Sequence, residues 1–302
     1  MIHIDDLVRC TEDGAIAASK WVGSGDKLSA DKAATDALRS RLNTIDFCGK
    51  IIIGEGVKDG SYGLYYGEEV GCPLDNCPCH DIAVDPIEGT TPTVTSGPEA
   101  LSVIGIAEEG TMFCTDEFYM KKLAYGPKIS KKVTLSLDDP LSNTIKLVSL
   151  ATGKEANKIM VCILNRPRHE ADIATLREIG VRIKLIQDCD VSGAIATCVE
   201  DSGIDLLYGI GGAPEAVITA CAMKCLGGNL LAQIYTKAGV TSGPVLTIND
   251  LVGGECAFVG TGITDGSLLN GVKWTKHGPQ THSVFMRSES GTVRFIETRH
   301  GN

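Results

Sequence analysis

The sequence predicts an α/β protein built from two subdomains. In the second half of the chain, short apolar runs alternate with amphipathic stretches, which predicts strands at 158–164, 181–186 and 204–208 and helices at 170–179, 191–199 and 216–226. Such alternation is typical of parallel strands joined by helices. The length of 302 residues also exceeds the usual size of one domain, roughly 100–200 residues. We therefore predict a boundary near residues 151–157, which divides the chain into 1–155 and 156–302.

The first half of the chain is less regular. A helix is predicted over residues 30–42, with Asp31 in its first turn, where a carboxylate meets the positive end of the helix dipole. Further apolar runs predict strands at 51–53, 82–84, 101–107 and 132–137. The first of these strands ends in Gly54-Glu55-Gly56. A carboxylate between two glycines at a strand end suggests a binding site, because glycine lets backbone or ligand approach closely.

Charge and hydropathy exclude several classes of partner. The formal net charge of −10 argues against binding to nucleic acid or to an anionic membrane surface. An anionic substrate would therefore need local cations. No apolar run approaches the ~18 residues of a membrane span, and the first residues lack the basic and apolar regions of a signal peptide. These features predict a cytoplasmic protein.

The 12 cysteines are expected to be mostly free thiols, as is usual in the cytoplasm. One group of them stands apart, because Cys72, Cys77, Cys79 and His80 fall within nine residues. These side chains suit zinc, but no second CxxC pair accompanies them. We predict a surface loop over residues 72–80 that is dispensable for catalysis; the alternative is a local metal or redox role.

Residues 81–91, Asp-Ile-Ala-Val-Asp-Pro-Ile-Glu-Gly-Thr-Thr, are the most informative segment. A buried strand is predicted to lead into a turn that carries Asp85, Glu88 and Thr90. Clustered carboxylates repel each other and are costly to desolvate, which indicates a bound cation. Oxygen ligands suit a hard ion such as Mg²⁺ or Mn²⁺. The structural alternative is an acidic turn capped by threonine.

Polar residues follow each of the three predicted strands of the second half. Arg166-Pro167-Arg168 follows the first strand, Asp188-Cys189-Asp190 the second and Gly211-Gly212 the third. The carboxyl ends of parallel strands meet at one edge of a sheet, where ligands bind. Paired glycines before a helix suit a phosphate group, and guanidinium groups pair with phosphate oxygens. For the arginines, a solvated basic turn is the alternative.

With these motifs assembled, the chain resembles the class II (bacterial-type) fructose-1,6-bisphosphatases, some of which also act on sedoheptulose 1,7-bisphosphate. The resemblance covers nearly the whole chain and is carried by residues 25–31, 53–56, 81–91, 119–123, 167–169, 207–215 and 261–266. It implies a layered αβαβα sugar-phosphatase fold, as in the lithium-sensitive phosphatases. Residues 1–155 would then form a metal-binding catalytic subdomain and residues 156–302 a substrate-binding one. A homodimer or homotetramer is also implied.

The resemblance also implies an activity and a set of site residues. The activity is metal-dependent hydrolysis of the 1-phosphate of fructose 1,6-bisphosphate to fructose 6-phosphate and phosphate, a step of gluconeogenesis. The metal, Mg²⁺ or Mn²⁺, would be held by Asp31, Glu55, Asp85, Glu88 and Glu215. Thr90 would be catalytic, together with Asp31 and with Lys27 near the reacting phosphate. Substrate contacts carry over to Glu88, Gly89, Thr90, Tyr119, Arg166, Pro167, Arg168, Asp188, Cys189, Asp190 and Gly212.

Two other functions are compatible with the same motifs. An inositol-monophosphatase-like activity is disfavoured because a monophosphate has less use for a separate arginine pair, and because those enzymes usually carry Asp at the position of Glu88. A catalytically silent sugar-phosphate-binding protein is disfavoured because every acidic position is retained. Val57, which replaces an acidic residue common in the family, is its only support. The family loop at 72–80 is lengthened and that at 235–243 is shortened.

Overall fold

The computed structural model describes residues 4–54, 63–72 and 78–301. Its strands are β1 (Cys48–Ile53), β2 (Glu69–Val70), β3 (Cys79–Glu88), β4 (Leu101–Glu108), β5 (Tyr119–Tyr125), β6 (Met160–Leu164), β7 (Arg182–Ile186), β8 (Leu206–Gly212), β9 (Asn229–Tyr235), β10 (Thr241–Leu246), β11 (Cys256–Gly262), β12 (Lys273–Thr275), β13 (Gly278–Arg287) and β14 (Thr292–Arg299). Its α-helices are α1 (Ile4–Ser19), α2 (Lys27–Leu42), α3 (Thr90–Thr95), α4 (Pro127–Ser130), α5 (Leu141–Thr152), α6 (Glu170–Ile179), α7 (Asp190–Ala196), α8 (Ala213–Leu226) and α9 (Ile248–Leu251).

These strands form two sheets. The eight-stranded sheet runs β12-β13-β11-β4-β3-β1-β2, with β14 added on β13, and the six-stranded sheet runs β10-β9-β5-β8-β6-β7. The predicted parallel pairing of the second half is confirmed, because β6 pairs in parallel with both β7 and β8. In the larger sheet β1 and β3 are parallel, whereas β3, β4, β11 and β13 pair antiparallel in turn. The α/β class predicted from sequence is thus confirmed as a mixed α/β fold with two sheets.

Both halves of the chain contribute to both sheets. β5 lies in the middle of the six-stranded sheet between β8 and β9. β11, β13 and β14 extend the eight-stranded sheet beyond β4. The division of the chain into 1–155 and 156–302 stays a prediction about folding units, since sheet membership alone does not define a domain.

The core lies on both faces of each sheet. On β4, Val103 packs in the cluster that contains α8, while Ile104 packs with α1 on the other face. On β5, Ala124 likewise packs with α7 and α8, and Leu123 packs with α5 and α6. The helix α8 contacts strands of both sheets and is apolar on nearly all sides, as expected for a helix buried all round.

Several elements differ from the sequence-based expectation. No strand forms at 132–137, because the described chain there is irregular; short apolar runs do not by themselves specify a strand. The strand β5 was not predicted, since Lys121 and Lys122 interrupt its apolar pattern. The predicted loop after residue 208 is wrong as well, because β8 continues through Gly212.

The helix predicted at 30–42 begins earlier, at Lys27. Asp26 caps it, and its carboxylate accepts a hydrogen bond from the Ser29 N–H at 3.1 Å. Asp26 thereby satisfies one of the free N–H groups of the first turn. Asp31 consequently lies in the second turn rather than the first, and the dipole argument made for its carboxylate does not hold.

Cys79 is not a free thiol of a surface loop. It begins β3 and forms a disulfide with Cys48, its partner residue at the start of the parallel strand β1. His80 also lies in β3, whereas residues 73–77 of the predicted loop lie outside the described chain. The cysteines other than these two are free thiols wherever the structure describes them, which agrees with the expectation of mostly free thiols. No helix of the described chain is long and apolar enough to span a bilayer.

Candidate active site

A cavity of about 480 Å³ brings together nearly all the residues singled out from sequence. Its walls carry Lys27, Asp31, Asp85, Glu88, Gly89, Thr90, Tyr119, Arg166, Arg168, Asp188, Cys189, Asp190, Gly212 and Glu215. Glu55 lies outside the described residues. Pro167 is not on the wall, but it begins the short 3₁₀ turn that carries Arg168. The carboxyl ends of β6, β7 and β8 therefore meet at this cavity as predicted, although Gly212 belongs to β8 itself and not to a loop after it.

An irregularity in β3 allows two carboxylates to reach the cavity. Asp85 and Glu88 are three residues apart, so a regular strand would point them to opposite faces. The register against β4 shifts here: Asp85 is opposite Val103, while Glu88 is opposite Leu101, two residues away. This one-residue bulge re-aims the strand. The Ile87 N–H donates to Asp85 Oδ1 at 3.0 Å, which fixes the turn.

Glu88 is a strongly perturbed carboxylate of the site. Its side chain is buried, and Oε1 accepts a hydrogen bond from the Val191 N–H at 2.9 Å. Burial, and then the neighbouring charges of Asp190 and Glu215, raise the pKa of Glu88 well above its ordinary value. Negative charges accumulate here in a low-dielectric place, which a cation would stabilise.

Glycines make room for this acidic wall. Gly212 ends β8 immediately before α8, and Glu215 lies in the first turn of that helix. A Cβ at residue 212 would collide with the Glu215 carboxylate, and a Cβ at Gly211 would collide with that of Asp190. The paired glycines predicted from sequence to approach a phosphate thus also admit two carboxylates.

The acidic residues match the donor chemistry of a hard cation. Asp31, Asp85, Glu88 and Glu215 offer only oxygen atoms, the ligands that Mg²⁺ and Mn²⁺ prefer. Within the described residues, no three His, Cys, Asp or Glu side chains form a group that could hold a metal ion. The oxygen donors of these side chains fit such an ion, but the described residues alone do not form a complete set of metal ligands. Glu55 is the predicted ligand not included.

Thr90 begins the short helix α3 and is held by Asp31. Gly89, which precedes it, has a φ of 99°, and a side chain there would meet the Cys189 sulfur. The Thr90 hydroxyl donates a hydrogen bond to Asp31 Oδ1 at 3.0 Å, so Asp31 orients the threonine oxygen. Lys27 Nζ donates to the Thr91 hydroxyl at 2.8 Å. Thr91 was not assigned from sequence, although it directly follows Thr90.

Arg168 is oriented by the strand end beside it. Its Nε and Nη2 donate to the Ile210 carbonyl oxygen at 3.1 and 2.8 Å, and its guanidinium lies 5.0 Å from the centre of the Tyr119 ring. The next residue, His169, is buried; its Nε2 accepts from the Ile210 N–H at 2.7 Å and its Nδ1 donates to Leu164 O at 2.8 Å. These bonds hold the turn after β6 against β8.

Two of the predicted substrate contacts pair with basic residues in the protein. Arg166 Nη2 lies 2.6 Å from Asp188 Oδ1, so two side chains predicted to contact the substrate bind each other. Asp190 Oδ2 lies 2.7 Å from Nζ of Lys122. Sequence reasoning missed this role of Lys122. One feature of the sequence could have indicated it. Lys122 alternates with the apolar residues Met120 and Ala124, which predicts that all three side chains face the core if the segment is a strand.

Carboxylates from α2, β3, α7 and α8 share one cavity with the guanidinium groups that follow β6. An α/β protein with such a site has the groups needed by a phosphate-ester hydrolase, which must hold cations against phosphoryl oxygens.

The chain belongs to the bacterial fructose-1,6-bisphosphatase family described as glpX-encoded, whose family model matches residues 2–300. This finding confirms the resemblance noted from sequence. Similar proteins include fructose-1,6-bisphosphatase 1 class 2 of Escherichia coli (strain K12) and the fructose-1,6-bisphosphatases class 2 of Escherichia coli O6:H1 and Shigella flexneri. Each is 37% identical to this chain over 319 residues, which cover 98% of this chain and 94% of the relative.

Proposed function

We propose that this protein is a metal-dependent phosphatase that hydrolyses the 1-phosphate of fructose 1,6-bisphosphate to fructose 6-phosphate and phosphate. The observation that carries the proposal is the single cavity in which four of the five family-matched acidic positions lie with Thr90, Arg166 and Arg168. Family membership and three similar class 2 fructose-1,6-bisphosphatases point to the same activity. Its place in metabolism would be gluconeogenesis.

At the reacting phosphate, we assign Thr90 to positioning. Its hydroxyl donates to Asp31, which leaves the oxygen lone pairs available to a water molecule or to a phosphoryl group that donates a proton. Lys27, placed by its bond to Thr91, adds positive charge beside them. Asp31, Asp85, Glu88 and Glu215, with Glu55, would hold Mg²⁺ or Mn²⁺. Such an ion supplies a water of lowered pKa and neutralises phosphoryl oxygens.

The distal phosphate is assigned to the arginines. Arg168 is held by Ile210 O through one edge of its guanidinium, and a guanidinium carries further N–H donors for phosphate oxygens. Arg166 is paired with Asp188 and would exchange part of that pairing for phosphate. Tyr119, against the Arg168 guanidinium, contributes a hydroxyl at the same place. Asp190 and Asp188 would accept hydrogen bonds from sugar hydroxyls.

We also propose the αβαβα layering of the sugar-phosphatase fold. It is supported by the packing of α1 and α2 outside the larger sheet, of α7 and α8 between the sheets, and of α5 and α6 outside the smaller one. A homodimer or homotetramer remains part of the family-based proposal.

The proposal is tested by phosphate release from a panel of substrates after dialysis against chelator. The panel contains fructose 1,6-bisphosphate, sedoheptulose 1,7-bisphosphate, fructose 6-phosphate, an inositol monophosphate and a generic aryl phosphate, each with Mg²⁺, Mn²⁺ or no metal. We expect turnover of a sugar bisphosphate that is lost with chelator and restored by one of the metals. Substantial turnover in excess chelator would refute the metal mechanism.

Two variants distinguish the effect of a carboxylate in the cavity from the effect of removing a negative charge elsewhere. Asp85→Asn should abolish turnover while urea unfolding stays close to that of the wild type, because the exchange removes charge and opens no cavity. Glu109→Gln, at an exposed carboxylate beyond β4, should leave turnover unchanged. Preference for the inositol monophosphate would favour that alternative function. Binding of sugar bisphosphate without turnover under any metal would favour the silent binding protein.

A further inference from the structure

Lys122 is a charged residue in an apolar layer. It is 1% exposed, and among the residues that the structure describes no other lysine is buried. Its strand β5 points Met120 and Ala124, on the same face, into the core cluster of α7 and α8. A buried ammonium group is costly unless it is paired, so the folded protein must provide a specific partner for Lys122.

That partner is Asp190. Lys122 Nζ and Asp190 Oδ2 are 2.7 Å apart, and the pair lies over Gly211, where any Cβ would displace the carboxylate. The ion pair can therefore form only because residue 211 is a glycine. Asp190 is the first residue of α7 and lies on the wall of the cavity. Within the described structure its Oδ2 binds Lys122, while no hydrogen bond within the protein is made by its Oδ1.

Removing the lysine would leave the Asp190 charge uncompensated beside other carboxylates. Glu88 is bound by the N–H of Val191, the residue after Asp190, and both Asp190 and Glu215 act electrostatically on Glu88. Repulsion from these carboxylates would turn Asp190 away from its position, because like charges in a partly buried site are not screened by water.

We propose that Lys122 is a positioning residue for sugar recognition, which holds Asp190 so that its second oxygen accepts a hydrogen bond from a hydroxyl of the substrate sugar. This inference rests on the proposed function, in which Asp190 contacts the sugar. Lys122 itself touches neither the substrate nor the reacting phosphate. Its effect should therefore appear in the binding of the sugar and not in phosphoryl chemistry as such.

The test compares Lys122→Met with Lys121→Met. The control is matched, since Lys121 lies next to Lys122 on β5, faces the other side of the sheet and donates to Leu137 O at 3.1 Å. Initial rates are measured with fructose 1,6-bisphosphate and with the generic aryl phosphate, which has no sugar. For Lys122→Met we expect KM for the bisphosphate to rise about 10- to 100-fold, the contribution of a hydrogen bond to a charged group. Its kcat/KM for the aryl phosphate, and both reactions of Lys121→Met, should change less than about threefold, because neither change alters the proposed reacting end of the site.

Two more variants keep the test decisive if Lys122→Met does not fold. The first is Asp190→Asn, which keeps the Lys122 ammonium but removes the charge of its partner, and the second is the double variant Lys122→Met/Asp190→Asn, which removes both charges of the buried pair. If Lys122 acts through Asp190, the double variant should have the same KM as Asp190→Asn, because the two effects are not additive. A further rise in KM in the double variant overturns the inference, as does an equal loss of both reactions in Lys122→Met.

The same variants separate this inference from the proposed function. A normal KM in Asp190→Asn would remove Asp190 from the proposed substrate site, and the inference would fall with it. A raised KM in Asp190→Asn combined with a normal KM in Lys122→Met would leave the proposed function standing and overturn only the role of Lys122.

Discussion

Replacing Arg168 by alanine tests how the site distinguishes two phosphates of one substrate. The proposal places the reacting phosphate near Thr90 and the distal one at Arg168, which comes from a different strand end of the same cavity. Only a bisphosphate can use both places. Loss of Arg168 should therefore weaken the binding of the bisphosphate. The hydrolysis of a small phosphate ester, which needs only the reacting end, should be unaffected.

The expected size of the effect follows from the contacts of the side chain. One edge of the guanidinium already donates twice to Ile210 O, so the remaining donors can make one charge-assisted contact with phosphate. Such a contact contributes about 2–3 kcal/mol. At 1.36 kcal/mol per factor of ten, KM for fructose 1,6-bisphosphate should rise about 30- to 150-fold, with kcat changed much less.

The assay is phosphate release over a range of concentrations of fructose 1,6-bisphosphate and of an aryl phosphate. Arg182→Ala is a matched control, because Arg182 donates through Nε to a backbone carbonyl at 3.0 Å but lies at the start of β7, at the strand end away from the cavity. Arg168→Lys keeps the charge and loses the two-pronged contact with Ile210, so its KM should fall between those of wild type and Arg168→Ala. Equal losses with both substrates would refute this division of the site.

Other predictions concern Thr90, His169 and Cys48. Thr90→Ala should lower kcat about 100-fold or more with little change in KM, as for groups that act in the transition state, and Thr90→Ser should retain most of the rate. An unchanged kcat in steady-state kinetics would leave Thr90 only a structural role through its hydrogen bond to Asp31. Burial lowers the pKa of His169, whose ordinary value is near 6.5, so neutral His169 stabilises the fold above that pH and this stability is lost as pH falls through its lowered pKa. The urea midpoint should therefore drop between pH 7 and pH 5, and drop less in His169→Gln; the same drop in both proteins would refute the argument. Cys48→Ser, which removes the disulfide to Cys79, should lower the free energy of unfolding by about 2–4 kcal/mol in oxidising buffer and by much less with dithiothreitol, as followed by urea denaturation; equal losses in both buffers would contradict a role for the disulfide.

Local patterns in the sequence were sufficient to locate most of the site. The carboxyl ends of β6, β7 and β8 carry residues that a parallel arrangement must bring to one edge. The segment before Thr90 combines a buried strand with a turn. These are short-range features, which depend on residue type and spacing over about ten positions. For this reason the segments at 166–168 and 188–190 were correctly placed at one edge, whereas the resemblance to the class II enzymes joined 81–91 to them. The part played by Glu55 remains a prediction.

Long-range packing settled the partners of those residues. Lys122 and Asp190 are 68 positions apart, and Arg166 and Asp188 are 22 apart; no periodicity in either segment encodes such pairing. β5 was missed for the same reason. Lysines are typical of exposed positions, and only the tertiary structure places the Asp190 carboxylate beside Lys122. The raised pKa of Glu88 likewise comes from burial and from charges on α7 and α8, which meet β3 only when the two sheets enclose those helices.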